Sequence, residues 1–270
     1  MTTVNSSGAP IYYESKGEGA AIVFAHGAGG NAAIWFNQVA HFSPHYKVIA
    51  FDHRGFGRTP VQGEPLTAYQ FRDDLLAILD AERVDRAHIV GQSMGGFTVL
   101  RTALDAPDRV SSLTMSATPG GIINPNPTPA MKSLTSSSDD DASGVSATMS
   151  RATQQRPELM QLYESINNFN VDFSWSNLAR LLGPEDVVQL EDLAAVRCPT
   201  LFICGEEDPL FPSELLASYV PHFSDARIEV VENSGHSPYF EQPERFNALL
   251  TQHLEAATHA CMTSAPMGQI

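Results

Sequence analysis

The chain has 270 residues, enough for one large domain or two small ones, and its hydrophobic fraction of 43% is that of an ordinary soluble globule. Against 31 Asp and Glu stand 16 Lys and Arg, and the resulting formal charge of −15 weighs against nucleic acid and anionic membrane as partners. No run approaches the roughly eighteen apolar residues of a membrane span, and the polar start lacks the basic and apolar regions of a signal peptide, so a cytoplasmic location is expected.

In chain order, Ile11 to Glu14 and Ala21 to Ala25 read as strands separated by the turn signal Lys16-Gly-Glu-Gly19. The second is apolar without alternation, as a strand buried on both faces must be, and it runs into His26-Gly27-Ala28-Gly29-Gly30-Asn31. A loop this rich in glycine brings backbone N–H groups close to a ligand. A phosphate loop is the competing reading, but the Walker lysine and its Ser/Thr are missing. Ala33 to Phe42 follows as a helix, and Lys47 to Phe51 as a strand ending in Asp52-His53-Arg54-Gly55-Phe56-Gly57. His53 and Arg54 are read as members of a hydrogen-bonded loop. Phe71, Leu75, Ile78 and Leu79 share one helical face and predict a helix from Tyr69 to Glu82.

The stretch from Ala87 to Leu100 organises the chain. An apolar run breaks at Gly91-Gln92-Ser93-Met94-Gly95 and resumes at helical spacing through Phe97, Val99, Leu100, Ala103 and Leu104. Gly-x-Ser-x-Gly alone also fits a flexible glycine loop, so the surroundings decide. A buried strand before it and a helix after it are what a nucleophile on a sharp strand-to-helix turn requires. Glycines flank such a serine because strand and helix approach too closely for a larger side chain. The amides of Ala28 and Met94 are then candidates for the two arms of an oxyanion hole.

Val110 to Met115 continues the alternation of strand and helix, which predicts a mostly parallel, doubly wound sheet covered on both faces. Between Ile122 and Leu193 the alternation fails. Helical candidates lie at Gln155 to Asn167 and Trp175 to Leu182, and Ser136-Ser-Ser-Asp-Asp-Asp141 reads as a solvated loop. The division expected is a core of residues 1–122 and 193–257, a helical lid of residues 123–192, and a loose tail of residues 258–270. Trp35, Met131, Met149, Met160, Tyr163, Phe169, Phe173 and Trp175 could supply an apolar pocket wall, although most such side chains form a lid's own core. Pro199 to Cys204 and Arg227 to Val231 are the last strands, and the final helix starts near Pro243. Cys198, Cys204 and Cys261 have no metal-ligand spacing, and an odd number argues against a disulfide framework.

In an open parallel sheet, reactive groups gather at the carboxyl ends of the strands, and Ser93, Asp208 and His236 each follow such an end. A serine hydroxyl is a poor nucleophile until a base takes its proton, and a carboxylate on the far ring nitrogen fixes the tautomer of that base. Glu206 and Glu207 are rival carboxylates. The remaining histidines, His41, His45, His88, His222, His253 and His259, are read as surface or packing residues.

With His26-Gly27-Ala28, Asp52 to Gly57, Gly91-Gln-Ser93-Met-Gly95, Gly205 to Pro212 and Gly235-His236 in place, the chain resembles the α/β-hydrolase fold enzymes, in particular the capped esterase, lactonase and cofactor-free haloperoxidase-like group. The resemblance implies a Ser93–His236–Asp208 triad, the family pattern selecting Asp208 over its neighbours, with an inserted helical cap and neither cofactor nor metal. A serine at position 93 sets the chain apart from the dehalogenase members, which attack through a carboxylate. The expectation is a serine hydrolase of a small carboxylic ester or lactone working through an acyl-enzyme, with activity falling in acid as His236 protonates. Carbon–carbon bond hydrolases, enol-lactonases and perhydrolases share these residues, and a receptor-like module can keep the fold with little turnover. A carboxylate-bearing substrate would call for a lid arginine such as Arg151, Arg156 or Arg180. The oligomeric state is left open.

Overall fold

The structure is a computed structural model that describes residues 2–60, 66–124, 128–129, 146–170 and 183–264. Eight strands form one sheet: β1 (Thr2–Ser6), β2 (Ala9–Lys16), β3 (Ala21–Ala25), β4 (Lys47–Phe51), β5 (Ala87–Gln92), β6 (Val110–Ser116), β7 (Thr200–Gly205) and β8 (Ala226–Val231). Their spatial order is β1-β2-β4-β3-β5-β6-β7-β8. Only β1 and β2 run antiparallel to their neighbours; from β4 to β8 every pairing is parallel. The sheet is therefore the mostly parallel one expected from the alternation of elements.

Burial on both faces explains why the central strands are continuously apolar. Successive side chains point to opposite faces, so Ile22 and Phe24 join one core cluster while Val23 and Ala25 join the other. Helices α2 (Ala68–Ala81), α3 (Gly95–Asp105) and α6 (Ser213–Tyr219) pack on the Val23 side through Leu75, Ile78, Leu100 and Leu216. On the other side lie α1 (Phe36–Phe42) and α8 (Pro243–Ser264), through Phe42, Phe246, Leu250 and Leu254. Thr67 starts α2 with a reciprocal capping box to Gln70, which satisfies two amides that the helix leaves open.

The segment between β6 and β7 is an excursion from the sheet. It contains α4 (Arg151–Gln154) and α5 (Pro157–Asn167), the latter close to the helix predicted over Gln155 to Asn167. Its Met149, Tyr163 and Ile166 are buried in the same cluster as α1 and α8. The two ends of the excursion meet, since Ile122 and Val188 form a parallel bridge. The helix predicted over Trp175 to Leu182 and the acidic loop at 136–141 lie outside the described residues.

The loose tail expected after Ala257 needs correction, because α8 continues to Ser264. Beyond Ala257 the helix holds Thr258-His-Ala-Cys-Met-Thr-Ser264, whose few apolar residues carry no stripe that would announce it. Among the described residues, no helix is long and apolar enough to cross a membrane.

Candidate active site

The loops that carry the candidate residues all leave carboxyl ends of neighbouring parallel strands. Residues 26–31 follow β3, Ser93 follows β5, Asp208 follows β7 and His236 follows β8. In a doubly wound sheet this edge is where a crevice opens.

Ser93 has φ of +49°, a left-handed backbone conformation that costs a non-glycine residue about 1–3 kcal/mol. The surroundings hold it there. Its N–H donates to the Ser116 carbonyl (3.0 Å), and its own carbonyl accepts from Thr118 Oγ1 (2.6 Å) and the Gly96 N–H (2.9 Å). The flanking glycines are obligatory. A methyl on Gly95 would overlap the carbonyl of Ala25, and one on Gly91 would overlap that of Gly95. Helix α3 begins directly after, so its amino-terminal dipole points at the serine.

His236 and Asp208 are both buried, and Asp208 Oδ2 accepts a hydrogen bond from His236 Nδ1 at 3.0 Å. The other carboxylate oxygen accepts from the amides of Leu210 (2.8 Å) and Phe211 (3.2 Å), which fixes the carboxylate within its turn. The rival carboxylates are engaged elsewhere: Glu206 accepts from the Asn233 amide and Glu207 from the Arg151 amide. The Phe211 ring lies 5.7 Å from the imidazole, centroid to centroid. Gln92, next to Ser93, donates through Nε2 to the His236 carbonyl (3.0 Å) and so fastens the serine turn to the histidine loop.

The glycine loop lies against Ser93, for a methyl on Gly27 would sit 3.0 Å from the serine Cβ and overlap Gln92 Oε1. Its shape is set by His26. The His53 amide donates to His26 Nε2 (3.0 Å), which leaves the ring proton on Nδ1 to donate to the Gly27 carbonyl (2.8 Å). That bond locks the peptide plane whose other end is the Ala28 N–H. Ala28 packs against Met94, and among the described residues neither amide has an acceptor. Burial pushes His26 down to about 4, so the imidazole stays neutral and the arrangement persists at ordinary pH. Asp52, also buried, ties the end of the glycine loop to its own loop by accepting from the amides of Ala32 (2.6 Å) and Arg58 (2.7 Å). His53 bonds to Thr98 and Arg54 pairs with Asp74, so both serve the structural role expected of them.

The expected pocket wall fares less uniformly. Trp35 is fully buried, stacked between Phe24 and Tyr239 under the inserted segment. Met160 is half-buried against the same cluster. Phe169, just past the end of α5, is 59% exposed, so among the described residues its ring is not part of a buried wall. Met131, Phe173 and Trp175 lie outside the described residues. Arg151 and Arg156 have mostly exposed side chains and face solvent, and Arg180 lies outside the described residues.

Sequence reasoning missed the residues that tie the inserted segment to these loops. Asn31 Nδ2 donates to the Ile166 carbonyl (2.8 Å), while Asn170 donates to the Gly29 carbonyl (2.5 Å) and accepts from the Gly57 amide (2.7 Å). Glu241 bonds to the loop around His236. The only signal that could have found them is an amide or carboxylate side chain beside a glycine-rich turn, which many surface residues share. Among the described residues, no group of three His, Cys, Asp or Glu could hold a metal ion.

Comparison with known proteins agrees with this architecture. A provisionally named carbamate hydrolase of Azorhizobium caulinodans is 28% identical over 256 residues, covering 93% of this chain and 97% of its own length. The 3-oxoadipate enol-lactonase 1 of Acinetobacter baylyi is 29% identical, with 84% of this chain and 85% of the relative aligned. The solved structure of Est816, described as an N-acyl homoserine lactone degrading enzyme, superposes with a TM-score of 0.78 at 27% identity, over 93% of this chain and 99% of the other. A thermophilic esterase from Thermogutta terrifontis reaches a TM-score of 0.83 at 21% identity, a likeness of fold, over 95% and 98% of the two chains. The sequence profile of the alpha/beta hydrolase fold matches residues 20–243, which takes in every loop described above, and the chain belongs to that family.

Proposed function

We propose that the protein is a serine hydrolase that cleaves a small carboxylic ester or lactone through an acyl-enzyme on Ser93. The observation that carries the reading is the buried His236–Asp208 pair fastened through Gln92 to a serine held at positive φ. Asp208 fixes the His236 tautomer with the ring proton on Nδ1, leaving Nε2 to take the Ser93 proton as the oxygen attacks the carbonyl. The amides of Ala28 and Met94 receive the oxyanion, each supplying about 3 kcal/mol of transition-state stabilisation. His236 then returns its proton to the leaving alcohol and activates water for deacylation. The lactone half of the reading draws on the names of the enol-lactonase and Est816.

A second reading, hydrolysis of a carbamate or of a carbon–carbon bond beside a carbonyl, is favoured by other relatives. Besides the Azorhizobium protein, the 2-hydroxy-6-oxo-6-phenylhexa-2,4-dienoate hydrolase of Burkholderia cepacia is 27% identical over 94% of this chain. The test is Ser93→Ala on p-nitrophenyl acetate, followed by a panel of esters, lactones, carbamates and vinylogous diketones. Turnover should vanish in the folded variant, and the panel member with the highest kcat/KM identifies the substrate class. Undiminished turnover in Ser93→Ala would end the proposal.

A further inference from the structure

Glu241 is 3% exposed and lies in the short helix α7 (Pro238–Glu241), five residues beyond His236. Its carboxylate is spent entirely on backbone. Oε1 accepts from the amides of Gly235 (2.9 Å) and Ser237 (3.1 Å), the two residues that flank His236. Oε2 accepts from the Ser150 amide (2.8 Å), which belongs to the segment inserted between β6 and β7. That segment also reaches the histidine directly, since the His236 amide donates to the Thr148 carbonyl at 2.9 Å. Gly235 leaves no slack between the two, because a methyl there would overlap the backbone of Thr148 and lie 2.7 Å from the nitrogen of Ser150.

Resting on the reading of His236 as the base, we propose that Glu241 is a positioning residue: one buried carboxylate that holds the His236 loop and joins it to the inserted segment, so that the two move as a unit. Bonds from amides to an ionised acceptor are about twice as strong as neutral ones, and a carboxylate has lone pairs for all three. With Thr148 on the His236 amide and Gln92 on its carbonyl, the backbone of the histidine is held from every side. The imidazole is thereby aimed by the inserted segment as well as by the sheet.

Glu241→Gln keeps the shape and replaces one acceptor oxygen with a donor NH2. Whichever way the amide turns, a donor then faces a donor, either at Ser150 or at the Gly235–Ser237 pair. In the folded variant kcat on p-nitrophenyl acetate should fall about tenfold, as a displaced catalytic group requires, with KM within about twofold of wild type. A variant that melts earlier but keeps kcat within twofold would show a structural role only and overturn the inference. Amide hydrogen exchange on the unmodified protein supplies an answer that needs no variant: Ser150, Gly235 and Ser237 should be protected to within about threefold of one another. Ser150 exchanging freely while the other two stay protected would likewise overturn it. Turnover that survives Ser93→Ala would sink the hydrolase reading instead, leaving the exchange result as the measure of the joint.

Discussion

Acidification from pH 7 to pH 5 should destabilise the fold by about 5–6 kcal/mol through three buried histidines. Burial is the main force pushing His26, His88 and His253 down to about 4, from the ordinary imidazole value of about 6.5; Arg86 beside His88 and Arg227 beside His253 act in the same direction. His53, also buried and beside His26, is depressed too. A depressed imidazole is neutral in the fold and takes up a proton on unfolding, so its contribution is complete above 6.5 and is lost as pH falls from there toward 4. Between pH 7 and pH 5 each of the three held near 4 is worth about 2 kcal/mol, and their sum is a large share of the roughly 5–15 kcal/mol that stabilises a domain. Urea titrations at pH 7.0 and 5.0, followed by fluorescence, measure the difference. In His88→Asn, whose amide can still reach Ser112, the loss should shrink by about 2 kcal/mol. A stability loss below about 2 kcal/mol in the unmodified protein would refute the reasoning.

Other perturbations have equally definite outcomes. Arg54→Met strips a bidentate guanidinium from the buried Asp74 carboxylate and should cost about 3–5 kcal/mol in urea, most of it recovered in the Arg54→Met, Asp74→Leu double variant. Gly95→Ala drives a methyl into the β3 backbone and should leave no soluble folded protein at 25 °C. Asn170→Ala removes two bonds from the inserted segment, one to the glycine loop and one to the loop after β4, and should lower stability by about 1–3 kcal/mol by urea titration, with the Gly29 and Gly57 backbone freed to sample other conformations.

How much was legible beforehand depended on whether a residue's partners are near it in sequence. Strands β3, β4, β5 and β7 were readable because each holds a short apolar run before a glycine or charged turn, while β6 and β8 were read from shorter or alternating apolar stretches; β4 begins and ends at the expected residues. Strand β1 escaped because Thr2–Ser6 is polar and half-exposed at the sheet edge, held by its pairing with β2. Helix α6 escaped because its seven residues are too short for a clear stripe. Ser93, Asp208 and His236 announce themselves by local glycines and strand ends. Gln92, Asn170 and Glu241 do not, since each acts on backbone 144, 141 and 91 residues away, and a backbone acceptor or donor leaves no trace in residue identity.

The bridge between Ile122 and Val188 has an evolutionary consequence. Because the polypeptide departs and returns at one point, the described part of the inserted segment hangs on a single stalk, and recombination could exchange the insertion without shifting any strand. The contacts that cross from it to the core, the polar ones of Asn31 and Glu241 and the burial of Met149, Tyr163 and Ile166 against α1 and α8, would have to be renegotiated by the recipient. Exchange on an unchanging scaffold is then a matter of grafting, with these few joints deciding which grafts take.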